Sequence, residues 1–138
     1  MHLTLETDYA IRIVDCITRN QRRMSAKEIS SQTHVTLRFA LKILRKLVAN
    51  GIICSYKGTL GGYEIARLPH LINLNEIMEA IEGPFIMNRC MTEDFECLYS
   101  NGNVCHYHNH FIRISESVRQ QLQEITIENI IEKHSSSL

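Results

Sequence analysis

The sequence has no tryptophan, only two prolines and six glycines, and no excess of either charge. Its 15 basic and 15 acidic residues balance, which excludes a uniformly basic or acidic protein. No apolar run reaches the roughly 20 residues that a membrane-spanning helix needs. The N-terminal stretch MHLTLETDYAIRIVD also lacks the basic region and uncharged core of a secretory signal. These absences predict a cytoplasmic protein without membrane contact.

The cysteine count is odd, with five thiols in 138 residues. In a chain without an export signal, this number argues against a disulfide scaffold and favours reduced thiols, a metal site or redox chemistry. Apolar residues make up 44% of the chain and charged residues 22%, which is typical of a globular protein rather than a disordered one.

The balanced total charge hides a division between the two halves. Residues 1–70 hold 11 Lys and Arg against 5 Asp and Glu, a balance of +6. Residues 71–138 hold 4 against 10, a balance of −6. Such asymmetry predicts that the first half binds a polyanion and that the acidic half is kept away from it.

Three helices are predicted in the basic half. Apolar spacing places the first over Asp8–Arg19, with Thr7 as its N-cap. Ser25 and Glu28 form a capping box that begins a short second helix. After a brief break, Thr36 is placed to cap the third helix. Two short helices joined by a tight turn are typical of a helix-turn-helix.

A glycine-rich hairpin is predicted directly after the third helix, which ends at Gly51. Residues 52–66, IICSYKGTLGGYEIA, show two short strands around a glycine loop. A helix-turn-helix followed by such a hairpin is a winged helix. A further capping box, Asn73 with Glu76, begins the next helix, which ends at Gly83.

The second half of the chain has a different character. The stretch of about Met87–His108 shows no helical or strand period and contains three of the five cysteines. A long amphipathic helix is predicted over about His108–Glu124, and a short one from Thr126. The expected fold is mainly α with a small β-hairpin wing. It divides into a winged helix-turn-helix at 1–85, a cysteine-rich loop at 86–108, and a dimerisation helix with a tail at 109–138.

The third helix and the wing carry the candidate DNA contacts. In a helix-turn-helix, the outer face of the second helix enters the major groove, where Arg and Lys pair with guanine or neutralise phosphates. Leu41 is apolar on that face, which either a thymine methyl or a neighbouring helix would explain. The glycine loop lets the backbone lie close to a phosphate or the minor groove. The candidate contacts are Thr36, Arg38, Leu41, Lys42, Arg45, Lys57, Thr59, Gly61 and Gly62, with Arg12, Arg22 and Arg23 as additional backbone contacts.

Cys90, Cys97 and Cys105 form the candidate metal site. Structural zinc sites usually contain cysteine pairs two to four residues apart, and this stretch contains none. Three thiolates with a fourth ligand from elsewhere are able to hold a 2Fe–2S or 4Fe–4S cluster. Because the loop buries few apolar groups, loss of the metal would disorder it, which gives a sensor mechanism.

Several side chains are candidates for the fourth ligand. His108 lies three residues after Cys105, and Asp8 of the partner subunit would reach the site across a dimer. His106 and His110 are close in sequence but would point in other directions, and a cluster without a fourth protein ligand is a further alternative. Cys16 and Cys54 are expected to be small core residues. A Cys105–His108 nucleophile would lack an orienting third group, and the sequence shows no sign of a substrate pocket, so the protein is not expected to be an enzyme.

With these features, the chain resembles the IscR/NsrR family of bacterial winged-helix transcription regulators. The resemblance covers about residues 1–133. It is carried by LTLETDYAIR, VTLRFALKILRKLVANGII, KGTLGGYEIA, INLNEIMEAIEGP, the three-cysteine loop and TIENIIE.

The resemblance implies a homodimer whose long C-terminal helices cross, and a cluster held by the three cysteines. A histidine at the position of His108 completes it in the IscR branch, and an aspartate at that of Asp8, from the other subunit, in the NsrR branch. This chain carries both. The expected function is a dimeric regulator, a repressor of a roughly palindromic DNA site, that senses iron, redox state or nitric oxide and has no small-molecule substrate. The alternatives are a zinc-stabilised regulator and a metal-free thiol redox switch.

Overall fold

The computed structural model describes residues 2–99 and 105–135, which form six α-helices and one two-stranded sheet in that part of the chain. The elements are α1 Leu5–Asn20, α2 Ala26–Thr33, α3 Leu37–Ala49, β1 Ile53–Tyr56, β2 Gly62–Ile65, α4 Leu74–Glu82, α5 His106–Glu124 and α6 Ile127–Ser135. Two short 3-10 turns lie at Pro69–Leu71 and Arg89–Met91. The expected fold class, mainly α with a hairpin wing, is confirmed.

A single core lies around α1. This helix packs against α2, α3, α4 and β2, and α6 from the end of the described chain reaches it too. The α1 stripe at the predicted helical spacing is buried, with Ala10, Ile13, Val14 and Ile17 each at most 1% exposed. Burial of this stripe against α3 and α4 fixes the orientation of the helix-turn-helix, because close-packed protein interiors leave little room for another arrangement.

The wing is an antiparallel hairpin attached to the loop before α2. Strand β1 pairs with β2, with Ile53 opposite Ile65 and Tyr56 opposite Gly62. The N–H of Met24 donates to the carbonyl oxygen of Tyr63 at 2.9 Å, and the N–H of Tyr63 donates to that of Met24 at 2.8 Å. These two bonds pair one edge of the hairpin with the helix-turn-helix and therefore set its angle.

The predicted helix starts are partly correct. Both capping boxes, Ser25 with Glu28 and Asn73 with Glu76, are confirmed. The prediction of Thr7 as the first N-cap is wrong, because α1 begins at Leu5 and the Thr4 hydroxyl accepts from the Thr7 N–H. Leu5, the first residue of α1, is 59% exposed and does not continue the buried apolar stripe of this helix. The apolar spacing therefore gave no sign that the helix begins this early.

The second half returns to the core through backbone pairing. The Leu74 N–H donates to the Ile125 carbonyl at 2.8 Å, and the Ile127 N–H donates to the Ile72 carbonyl at 3.0 Å. Ile127 is buried, as predicted for the last helix. The long helix α5 begins at His106, two residues before its predicted start. None of the helices described is long and apolar enough to cross a membrane.

Candidate nucleic-acid interface and cysteine site

Helix α3 separates a buried face from a basic outer face. Ala40, Ile43, Leu44 and Leu47 are fully buried. Arg38, Lys42 and Arg45 project from the opposite side, and all three are exposed. Thr36 occupies the N-cap position as predicted, but its side chain makes no capping hydrogen bond. The hydroxyl of this exposed residue is therefore not committed to the helix.

Two lysines of α3 converge on one carboxylate of α1. Lys42 Nζ donates to Glu6 Oε1, and Lys46 Nζ lies 3.1 Å from Glu6 Oε2. Lys46 Nζ also donates to the Ile81 carbonyl at 3.1 Å. The two ammonium groups, Lys42 first, lower the pKa of Glu6. Within the described part of the chain, Arg38 and Arg45 have no such acidic partner.

Leu41 lies on a partly apolar patch beside this basic row. It is 40% exposed, and Phe39 on the same helix is 42% exposed. The Phe39 ring meets Tyr9 of α1 edge-on at 6.1 Å between ring centroids. Leu41 thus stays accessible to a ligand, whereas Phe39 is partly engaged by α1.

Exposed polar groups and glycines form the wing tip. Lys57 and Thr59 are exposed, as a contact with DNA requires. A Cβ on Gly61 would lie 2.4 Å from the Tyr56 carbonyl oxygen. Gly62, with φ at +134°, would place a Cβ 2.5 Å from the Met24 carbonyl oxygen. Both glycines are therefore required by the turn itself, whatever they contribute to a ligand.

Arg23 is directed toward the wing rather than toward solvent. Its guanidinium lies 3.5 Å from the centroid of the Tyr56 ring and donates to the Leu60 carbonyl at 3.1 Å. It also pairs with Glu64 at 3.4 Å. Hydrogen bonding to Cys54 and then to Glu64 raises the pKa of Tyr56 to about 12. The sequence pattern alone did not indicate that Arg23 anchors the wing.

Two other predicted backbone contacts are paired with carboxylates. Arg22 lies 2.9 Å from Glu28, the capping-box residue of α2. Arg12 lies 2.7 Å from Asp8, one turn earlier on α1. Both arginines are about half exposed, at 52% and 51% of the side chain, so a phosphate is able to compete for them.

The cysteine segment is attached to α5 through Ser115. This serine is completely buried, and its hydroxyl accepts from the Met87 N–H at 3.1 Å. Its oxygen also lies 3.6 Å from Met91 Sδ. Arg119, one turn further along, donates to the Phe85 carbonyl at 3.1 Å. These bonds hold the chain on both sides of Cys90 against α5.

Cys90 and His108 meet at the start of α5. His108 Nδ1 lies 3.4 Å from Cys90 Sγ, and both residues are half-buried. Cys90 lies in the 3-10 turn Arg89–Met91, and Cys105 is the N-cap residue of α5. Residues 89–91 were predicted to be irregular, and the side chain of Asn88 caps this turn by accepting from the Cys90 N–H. Of the predicted ligands, His108 is thus brought to one of the cysteines.

The donor set has the chemistry that an iron–sulfur cluster requires, namely three thiols and an imidazole. Its geometry is only partly assembled. Across residues 2–99 and 105–135, no three His, Cys, Asp or Glu side chains are grouped to hold a metal ion. Cys97 and Cys105 are half-buried and flank residues 100–104, which lie outside the described residues.

The remaining two cysteines lie away from this segment. Cys16 is 9% exposed on α1, where burial raises the pKa of its thiol. Its Sγ lies 3.4 Å from Gln32 Oε1. Cys54 is half-buried on β1, 3.6 Å from the Tyr56 hydroxyl. The prediction of a small core residue is confirmed for Cys16. It is wrong for Cys54, which is half-buried on β1 and is not part of the core.

Comparisons with known proteins agree with this fold. The sequence model of Rrf2, described as an iron-dependent transcriptional regulator, matches residues 3–133. The HTH-type transcriptional regulator NsrR of Bacillus licheniformis is 25% identical over 134 residues, covering 95% of this chain and 92% of the relative. NsrR of Oceanobacillus iheyensis is 23% identical over 141 residues, covering 100% and 95%.

Two solved structures share the fold. IscR of T. potens superposes with a TM-score of 0.76 at 17% identity, covering 99% of this chain and 90% of that one. CymR, the global cysteine regulator of B. subtilis, superposes with a TM-score of 0.73 at 21% identity, covering 96% and 98%. At these identities the likeness concerns the fold alone.

Proposed function

The chain belongs to the Rrf2 family of HTH-type transcriptional regulators and is not an enzyme, and from this premise we propose a dimeric, sequence-specific repressor that senses through an iron–sulfur cluster. The observation that carries the cluster proposal is the approach of His108 to Cys90, 18 residues away in sequence. The proposal divides the chain into a DNA-reading part at 1–85, a cluster-binding segment at 86–108 and a dimerisation part at 109–138.

The DNA-reading role rests on the outer face of α3. Arg38 and Arg45 have no ion-pair partner among the described residues, and they lie on the exposed row with Lys42. Guanidinium groups pair with guanine O6 and N7 in the major groove, and phosphates take the remaining charge. Thr36, Leu41, Lys57, Thr59 and the backbone at Gly61 and Gly62 complete the proposed contacts. Because the proposed target is DNA, we also propose that the protein acts in the cytoplasm.

The dimer is supported by apolar side chains that α5 leaves exposed. One side of this helix packs on α4. Ile114, which belongs to the predicted apolar seam of α5, is 44% exposed, and Tyr107 on the same helix is 71% exposed. A second copy would cover them, and a two-fold dimer reads a roughly palindromic site with one α3 in each half.

The proposed ligands are Cys90, Cys97 and Cys105 with either His108 or Asp8 of the partner subunit. The geometry favours His108, because its imidazole already contacts Cys90, whereas Asp8 pairs with Arg12. When bound, the cluster supplies a centre that responds to iron supply, oxidation or nitric oxide. Ser115 and Arg119 of α5 hydrogen-bond to the backbone of Met87 and Phe85. A structural change at Cys90 would therefore be transmitted to α5 through these bonds.

A zinc-stabilised regulator is the second candidate, because thiolate and imidazole are also zinc ligands. A metal-free thiol switch is the third. Iron removal and zinc chelation separate the three candidates. Iron removal changes the DNA affinity of an iron–sulfur sensor, whereas the DNA affinity of a zinc-stabilised regulator changes only on zinc chelation. The DNA affinity of a metal-free thiol switch is insensitive to both treatments.

Selection from a random-sequence DNA library tests the DNA-reading proposal. We expect wild-type protein to enrich fragments that share a roughly palindromic motif and Arg38→Ala to lose that enrichment. Equal recovery of all sequences by the wild type would contradict a sequence-specific regulator.

A further inference from the structure

Glu6 of α1 contacts α3, the helix that carries most of the proposed DNA contacts. It lies in the first turn of α1 and contacts Lys42 and Lys46, which are 36 and 40 residues away in sequence. These lysines are one helical turn apart, so their ammonium groups lie on the same side of α3. The Glu6 side chain is 27% exposed, which keeps this interaction less screened than a fully exposed ion pair.

The two lysines differ in what else they contact. Lys46 is 35% exposed and also donates to the Ile81 carbonyl, so it is held between α1 and the end of α4. Lys42 is 53% exposed, and Glu6 is its ion-pair partner. Lys46 therefore holds the Glu6 carboxylate in place. The more exposed Lys42 is able to exchange the Glu6 carboxylate for another anion, such as a DNA phosphate.

Lys42 also lies at the centre of the proposed DNA-binding row. Arg38 precedes it by four residues and Arg45 follows it by three, a spacing that places all three on one helix face. A DNA phosphate that meets this row would compete with the Glu6 carboxylate for the same ammonium group. Each phosphate neutralised by a free cation releases counterions and steepens the salt dependence of binding.

We propose that the Glu6 carboxylate mimics a DNA phosphate: it pairs with Lys42, competes with DNA for this lysine and so weakens sequence-independent binding to DNA. This inference rests on the proposed DNA-reading function and adds a specificity-determining residue to it. Sequence-independent binding comes largely from phosphate contacts, whereas base contacts by Arg38 and Arg45 discriminate between sites. Neutralising the central charge of the row therefore favours sites where the arginines bind well.

The test is the salt dependence of binding to a short mixed-sequence duplex, measured by fluorescence anisotropy between about 50 and 200 mM salt. Glu6→Gln is compared with Asp15→Asn, which removes the same charge from the same helix, where Asp15 pairs with Arg19 at 2.8 Å. We expect Glu6→Gln to steepen the logarithmic salt slope by about one unit. At the lowest salt, it should tighten binding about two- to fivefold, the scale of one partly exposed ion pair. Asp15→Asn should keep the wild-type slope.

A Lys42→Gln background separates a local effect from a general one. If Glu6 acts through Lys42, then adding Glu6→Gln to Lys42→Gln leaves the slope where Lys42→Gln alone puts it. A slope for Glu6→Gln equal to that of Asp15→Asn, or an unchanged Glu6→Gln effect in the Lys42→Gln background, would overturn the inference while the wild type still binds. Failure of the wild type to bind any duplex would instead overturn the DNA-reading function itself.

Discussion

The imidazole of His108 lies against the thiol of Cys90, with 3.4 Å between Nδ1 and Sγ. One residue stands in the first turn of α5 and the other in a 3-10 turn, so their contact joins the beginning and the end of the cysteine segment. Buried Ser115 supports this arrangement by accepting from the Met87 N–H. The pair provides a starting point for a metal site that the remaining cysteines complete.

His108 is predicted to be a cluster ligand. His108→Ala should change the absorption and electron paramagnetic resonance spectra of anaerobically reconstituted protein, because replacing imidazole changes the electron density at the iron. His110→Ala removes an exposed histidine from the same helix turn and should leave both spectra unchanged. If instead Asp8→Ala alters the spectra and His108→Ala does not, the fourth ligand comes from the partner subunit.

Arg38 is predicted to contact a DNA base. Arg38→Ala should weaken binding to the selected site by about 1 to 3 kcal/mol more than to mixed-sequence DNA, because it removes a base contact. Equal weakening on both duplexes would make Arg38 a phosphate contact only.

Lys57→Ala should flatten the logarithmic salt slope by about one unit, because the charge at the wing tip meets a phosphate. Thr59→Ala, at the same tip but without a charge, serves as the control and should keep the slope. An identical slope in Lys57→Ala and wild type would remove the wing from the DNA backbone.

Gly62 is predicted to be essential for wing geometry. Gly62→Ala should destabilise the protein by about 2 to 4 kcal/mol, because its Cβ meets the Met24 carbonyl and its φ is unfavourable for alanine. Gly58→Ala also has a positive φ but no atom within 4 Å of the new Cβ, so it should cost only about 1 to 2 kcal/mol. Urea unfolding measures both, and equal losses would show that the Met24 contact has no role.

Glu82 is predicted to stabilise the fold at neutral pH and to lose this effect in acid, when its carboxylate is protonated. Its carboxylate accepts from Thr4 at 2.6 Å and from the buried Thr7 hydroxyl, and these bonds lower its pKa. A lowered folded-state pKa stabilises the fold above the unfolded value and loses this effect as the pH falls through the folded value. Glu82→Gln should therefore reduce stability at neutral pH, by less than about 1 kcal/mol because the group is exposed.

The same substitution should make the loss of stability between about pH 5 and pH 3 shallower than in the wild type. Thermal unfolding across this range measures the difference. Parallel pH profiles for the two proteins would contradict the assignment of the hydrogen bonds to Thr4 and Thr7.

Local signals in the sequence predicted most of the architecture. Ser25 with Glu28 and Asn73 with Glu76 are residues three apart, so their capping boxes are readable from the sequence. The start of α1 was misplaced because Thr4 and Thr7 are both good N-caps and the exposed Leu5 does not extend the apolar stripe.

Contacts between distant residues were not readable in this way. The pairing of Glu6 with Lys42 depends on how α1 packs across α3, and the sequence showed only a basic residue on an outer face. Arg23 resembles any exposed arginine until the wing lies over it. The three cysteines were visible as a group, but the selection of His108 as the neighbour of Cys90 depends on where α5 begins.

Anaerobic reconstitution with ferrous iron and sulfide tests the central claim most directly. We predict that wild-type protein gains visible absorption together with stoichiometric iron and acid-labile sulfide. Cys97→Ser should stay colourless yet keep the dimer, and Cys54→Ser, on the wing strand, should colour like the wild type. Wild-type protein that remains colourless and free of iron, or that takes up zinc alone, would contradict the account.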